Sequence, residues 1–107
     1  MKTTRSIFDI ISEPNRRLIL DLLRKKANSV NELVQLTGMS QPGVSKHLRI
    51  LKEAGLVEVQ SEAQKRVYYL CPLPLSEVDK WLEPYRNFWK DNLASLDEFL
   101  EKEEAED

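Results

Sequence analysis

Residues 29–57 read Ser29-Val-Asn-Glu32-Leu-Val-Gln-Leu-Thr-Gly38-Met-Ser40-Gln-Pro-Gly-Val-Ser-Lys-His-Leu-Arg-Ile-Leu-Lys-Glu-Ala-Gly55-Leu-Val57. Their end signals spell two short helices. Ser29 and Glu32 have the spacing at which a hydroxyl and a carboxylate satisfy each other's orphan amides at a helix start. The helix they open buries Leu33, Val34 and Leu36, and stops at Thr37-Gly38, because glycine takes the left-handed C-terminal conformation cheaply. Ser40 caps the next helix, which Ala54-Gly55 ends. Two helices joined by a short turn containing glycine make a helix-turn-helix, here spanning 29–54.

The second of these helices has two faces. Val44, Leu48 and Leu51 fall within one narrow arc, while Gln41, Pro42, Ser45, Arg49 and Lys52 fall on a broad opposing arc with Lys46 at its edge. A polar arc is often no more than a solvated face. This one comes after a capped helix and a glycine turn and carries no acidic residue before Glu53, as an element entering the major groove of DNA requires.

Outward from this pair, Thr4 can cap a short first helix with Ile7, Phe8 and Ile11 on one stripe. Ser12-Glu13-Pro14 restarts the chain, with Ser12 as N-cap of a helix reaching about Lys26 and turning Leu18, Ile19, Leu22 and Leu23 inward. On the other side, Leu56–Gln60 and Arg66–Leu70 read as strands joined by the polar loop Ser61–Lys65, a hairpin or wing over 56–70. Over 75–102 the residues Val78, Trp81, Leu82, Tyr85, Phe88, Trp89, Leu93, Leu96, Phe99 and Leu100 keep helical spacing, with a kink expected near Pro84. Residues 103–107 form an acidic tail expected to fray. The fold class is mainly α with a small β-hairpin: four helices, a hairpin and a fifth helix.

A chain of 107 residues, 41% hydrophobic and 32% charged, suits one ordered domain over 1–107. It has no apolar run near the roughly 20 residues that span a bilayer, and its start lacks a signal-peptide pattern, so a cytoplasmic location without a membrane partner is expected. The net charge of -2 conceals an asymmetry. Residues 1–71 carry 12 Lys and Arg against 7 Asp and Glu, whereas residues 72–107 carry 4 against 11. Such a division points to nucleic acid on one side and a separate role for the other. Cys71 cannot form an internal disulfide and reads as a small hydrophobe, with redox sensing as the alternative. With His47 the single histidine, no metal or other cofactor is expected, and nothing resembles a catalytic constellation.

The run Ser40–Val57, preceded by Glu32-Leu-Val-Gln-Leu-Thr-Gly38 and followed by Arg66-Val-Tyr-Tyr-Leu70, resembles the ArsR (arsenic-repressor-like) winged-helix transcriptional regulators over about Ser6 to Leu70. Trp81-Leu-Glu-Pro-Tyr-Arg-Asn-Phe-Trp89 is similar to a metal-independent branch of that family. The resemblance implies a homodimeric repressor on a palindromic operator in double-stranded DNA. It places base reading on Gln41, Pro42, Ser45 and Lys46, backbone contacts on Ser40, Arg49 and Lys52, and wing contacts on Lys65 and Arg66. It also implies a dimer interface of Ile7, Phe8 and Ile11 with Val78, Trp81, Leu82, Tyr85, Phe88, Trp89, Leu93 and Leu96. Metal-sensing members carry Cys-x-Cys in the third helix, where this chain has Leu33-Val34-Gln35-Leu36, or Asp and His ligands on the last helix, which here has no histidine. The wing lacks the usual tip glycine and contains Glu62. The alternatives are a winged-helix protein-interaction module and a repressor answering an unknown effector in a pocket near Trp81, Tyr85 and Trp89.

Overall fold

Helix α1 (Ile7–Ile11) is only five residues long, too short to persist alone, and contacts at both of its ends hold it in place. The computed structural model describes residues 5–106. Thr4, the expected first cap, lies outside them, and the cap is Ser6, whose Oγ accepts from the Asp9 amide at 3.1 Å. Two arginines of α2 (Pro14–Lys25) hold the other end of α1: Arg16 Nε donates to the Ile10 carbonyl at 2.7 Å and Arg17 to that of Ile11 at 2.6 Å. Cations at the carbonyl end of a helix satisfy both its orphan acceptors and its dipole.

The start of α2 corrects another expectation. Glu13, not Ser12, is the N-cap, accepting from the amides of Asn15 and Arg16 at 3.2 and 3.3 Å. Ser12 instead closes α1, donating from Oγ to the Asp9 carbonyl at 2.6 Å. The longer Glu side chain reaches the free amides from the residue beside Pro14, leaving Ser12 to the helix before it. The inward face of α2 is Ile19, Leu20 and Leu23, with Leu22 half-buried and Leu18 exposed. Five apolar residues span more of the helix than the core accepts, so tertiary packing selects among them.

β1 (Asn28–Ser29) leads into α3 (Val30–Thr37), which the turn at Gly38 joins to α4 (Gln41–Glu53). β2 (Val57–Glu62) and β3 (Lys65–Leu70) form the hairpin, and β1 adds a third strand, antiparallel on the far side of β3 through Asn28↔Tyr68 and Ser29↔Val67. Two residues carry no periodicity, so only their pairing reveals this strand. The core unites Ile7, Ile10, Ile19, Leu20, Leu23, Leu33, Val44, Leu48, Ile50, Leu51, Leu56 and Val57. Phe8 and Leu36 are exposed, at 40% and 56%, whereas Ile10 is buried.

The hairpin is longer and its turn tighter than a Ser61–Lys65 loop. Glu62 pairs with Lys65, leaving two residues, Ala63 and Gln64, at the tip. Ala63 has φ 56°, the left-handed region that a two-residue hairpin turn asks of its first residue. Gly38 has φ 74° in the turn between α3 and α4, where an added Cβ would meet nothing within 4 Å. Its requirement is therefore conformational and not steric.

After a 3-10 turn at Leu73–Leu75, α5 (Ser76–Glu106) runs as one helix with Pro84 inside it. It passes Lys102, and the acidic segment is helical through Glu106. Where the sequence reads as one domain, the structure has two compact units, the first ending at Ser76 and the second beginning at Glu77.

His47 of α4 sets its ring against the cap of α2. Its Nε2 faces Glu13 Oε2 at 3.4 Å, and its Nδ1 is buried without a hydrogen-bond partner. Burial holds the imidazole below its ordinary value of 6.5, helped by Arg16 and Lys46 and opposed by Glu13. The unfolded chain therefore binds the proton more readily, and stability falls as pH drops from the ordinary value toward the lower folded one. Denaturant midpoints measured from about pH 7.5 to about 5.5 should fall more steeply for the wild-type chain than for His47→Gln. The two left-handed residues give opposite expectations in the same assay. Gly38→Ala should destabilise by about 1 kcal/mol, and Ala63→Gly should stabilise by up to about 1 kcal/mol, because only the former introduces a Cβ into that conformation.

Candidate nucleic-acid interface

The geometry of α4 follows from its first turn. Ser40 Oγ accepts from the Gly43 amide at 3.1 Å, and Pro42 occupies the first turn, where its missing amide costs nothing. Upstream, the Ser29–Glu32 capping box is formed in both directions, at 3.2 Å from the Glu32 amide to Ser29 Oγ and 3.1 Å from the Ser29 amide to Glu32 Oε1. These bonds hold the Glu32 carboxyl below its ordinary value, and Lys26 Nζ lies 3.8 Å away. Gly38 then donates its amide to the Val34 carbonyl at 2.9 Å, and the Thr37 hydroxyl donates to the Leu33 carbonyl at 2.7 Å. The turn is thus closed on itself, and the direction of α4 is set.

Within α4, Val44, Leu48 and Leu51 are at most 1% exposed, and Ile50 is buried beside them. Gln41, Pro42, Ser45, Lys46, Arg49 and Lys52 are all exposed, as is the cap Ser40. The residues expected to read and position a nucleic acid therefore share a face that packing leaves open. Its charges are Lys46, Arg49 and Lys52, with the exposed Glu53 at its C-terminal end. His47 is not part of it: its ring is turned toward Glu13.

The wing cations join this surface. A cleft of about 340 Å³ is lined by Gln41 of α4, by Gln64, Lys65 and Arg66 of the wing, and by residues 29–32 and Gln35 around α3. Asn31, Gln35 and Gln64 carry no signal in the sequence that marks them for this surface. The pairing of β1 with β3 brings them here, and that is a tertiary event. Glu62, which could repel a phosphate from the wing tip, accepts a hydrogen bond from the Tyr69 hydroxyl, and that contact raises the phenol above its ordinary value.

The expected dimer residues divide. Ile7 is 6% exposed and belongs to the protomer's own core, whereas Phe8 is partly exposed and Ile11 half-buried. On α5, Trp81, Tyr85, Phe88, Trp89, Leu93 and Leu96 are between 46% and 70% exposed, and Val78 and Leu82 are half-buried. Trp81 and Tyr85 stack obliquely, with ring centroids 5.1 Å apart. None of these aromatics lines the cleft beside Gln41. The Cys71 thiol is pushed up by burial and by Glu58, which leaves less of it as thiolate near neutral pH than in a free cysteine. Among the described residues, no group of three or more His, Cys, Asp or Glu could hold a metal ion, and no helix is long and apolar enough to cross a membrane.

Comparison with known proteins agrees with this geometry. Residues 13–59 match the bacterial regulatory proteins of the arsR family. The chain is 32% identical over 82 residues to the transcriptional repressor SdpR of Bacillus subtilis, covering 77% of this chain and 91% of that protein. It is 31% identical over 106 residues to the HTH-type transcriptional regulator Rv2034 of Mycobacterium tuberculosis, covering 96% of each. An ArsR-like transcriptional regulator from Rhodococcus sp. RHA1 superposes with a TM-score of 0.66 at 27% identity, over 84% of this chain and 85% of its own. HlyU from Vibrio cholerae superposes with a TM-score of 0.60 at 29% identity, over 74% and 87%. The hairpin and the helix-turn-helix are thus those of a winged helix, and the chain belongs to the ArsR family of bacterial transcriptional regulators, not to an enzyme family.

Proposed function

We propose that this regulator is a homodimeric repressor that occupies a palindromic operator and does so without a metal effector. The observation that carries the reading is the division of α4 into a buried apolar face and an open face of carboxamide, hydroxyl and cationic groups. Gln41 suits bidentate recognition of adenine, Ser45 serves several bases, and Lys46 reaches guanine acceptors or a phosphate. Ser40, Arg49 and Lys52 suit contacts to the sugar-phosphate backbone, which supply affinity and orientation without reading sequence. Lys65 and Arg66 border the same cleft as Gln41, which supports a role for the wing beside the reading helix. Repression follows from occupancy of a promoter and needs no chemistry.

Dimerisation is supported by the apolar side of α5, since exposed patches of this size on a soluble chain mark an interface. The reading without metal rests on the sequence, which has Leu33-Val34-Gln35-Leu36 where metal-sensing members carry Cys-x-Cys and no histidine on the last helix. A cytoplasmic location accords with a DNA partner.

Binding to an operator selected from random duplexes separates the roles. Gln41→Ala should cost about 1–3 kcal/mol on the selected sequence and little on unrelated DNA. Equal loss on both would refute base reading by Gln41. Arg49→Ala should weaken binding to all sequences alike and reduce the salt slope by about one unit.

A further inference from the structure

Glu62 and Lys65 form the last rung of the hairpin ladder, opposite in charge and facing each other across the two strands. Opposite charges in that position attract. Among the described residues, however, Glu62 and Lys65 do not form an ion pair. The alternation of side chains along β2 and β3 puts Glu58, Gln60 and Glu62 on one face of the wing with Lys65, Val67 and Tyr69. Tyr69 is registered against Glu58, four residues before Glu62. Its hydroxyl passes over Glu58 and donates to Glu62 instead. Glu58 accepts from Gln60 Nε2 at 3.4 Å. The bond from Tyr69 bridges about 13 Å of hairpin, so the Glu62 side chain leans from the tip toward the base of the wing, away from Lys65.

Lys65 faces different company. It lines the cleft that Gln41, Gln64 and Arg66 also border, and Glu62 does not line it. The charge of Lys65 helps hold the carboxyl of Glu32, another lining residue, below its ordinary value. Glu62 and Lys65 are both exposed, whereas Tyr69 is half-buried. An exposed ion pair is weak, because water and side-chain freedom offset the attraction, and a hydrogen bond to a carboxylate from a less mobile hydroxyl competes well with it. The carboxylate in turn raises the phenol above its ordinary value, which keeps the hydroxyl a donor throughout the neutral range.

We propose that Tyr69 is a positioning residue for DNA binding: by holding Glu62 toward the base of the wing, it leaves the Lys65 ammonium available to a phosphate. Released from Tyr69, Glu62 would turn to Lys65, its neighbour across the ladder, and cancel that charge before DNA arrives. Tyr69 acts through Glu62 and Lys65 without meeting DNA itself. This rests on the wing contact proposed above and adds the group that keeps that contact available. It also gives a use to the acidic residue at the wing tip, which by charge alone opposes a nucleic acid.

The test measures binding of the full-length chain to an operator selected from random duplexes, as a function of salt, with denaturant midpoints as a check on folding. Tyr69→Phe keeps the ring and loses the bond, and should reduce the salt slope by about one unit for each protomer bound. Adding Glu62→Gln should restore the slope, because a carboxamide does not neutralise Lys65. In a Lys65→Ala background, Tyr69→Phe should have no further effect. A Tyr69→Phe protein that binds as the wild type does would overturn the proposal. So would a loss that Glu62→Gln fails to restore, which would give Tyr69 a structural role only, or a loss that persists without Lys65, which would mean that Glu62 repels DNA directly. Lys65→Ala alone separates the two levels of the reading. If it binds as the wild type does, the wing makes no phosphate contact through Lys65 and both fall together, whereas an effect of Lys65 without one of Tyr69 removes only the positioning role.

Discussion

Helix α4 has to satisfy two environments at once, and most of the first unit exists to hold it between them. Val44, Leu48 and Leu51 leave at most 1% of their surface to solvent, and cutting either leucine back to alanine would remove about 2–5 kcal/mol, a large part of what keeps a small domain folded. The opposite face makes no comparable contribution to folding and is free to be chosen for recognition. Its aim comes from the caps and the turn that precede it. The capping box at Ser29 and Glu32 starts α3, the left-handed Gly38 turns the chain, and Ser40 starts α4 in a fixed direction. Glu13, which caps α2, also lies 3.4 Å from His47 Nε2 of α4.

The same economy applies to charge. A formal net charge of -2 says little about a molecule whose positive charge is concentrated before Cys71 and whose negative charge lies after it. The basic part contains the open face of α4 and the wing cations, and the acidic part is almost wholly α5. An acidic helix is a poor competitor for DNA, so the charge that suits a nucleic acid and the charge that repels one are separated along one short chain.

Much of this is legible in the residues alone. The caps at Ser29 and Ser40, the stop at Gly38, the buried arc of α4 and its polar counterpart rest on local spacing, and local spacing is what a sequence displays. The misplacements share one cause, which is that tertiary context decides between local options. Thr4 and Ser12 are plausible caps, but Ser6 and Glu13 take the role because capping depends on where the chain enters the helix. Leu18 and Leu36 are plausible core residues, but a helix with more apolar residues than its neighbours can cover leaves some outside. The strand at Asn28–Ser29 exists only because β3 offers it a ladder, and with it comes the cleft that joins Gln41 to the wing.

The central claim is that the open face of α4 reads base sequence, once in each half of a symmetric site. Hydroxyl-radical footprinting on a duplex selected by the purified protein tests it most directly. Two protected patches should appear on one face of the duplex, with centres about 34 Å apart, and exchanging base pairs within either half should abolish both. A single patch, or protection that moves freely along the duplex whatever its sequence, would contradict the account.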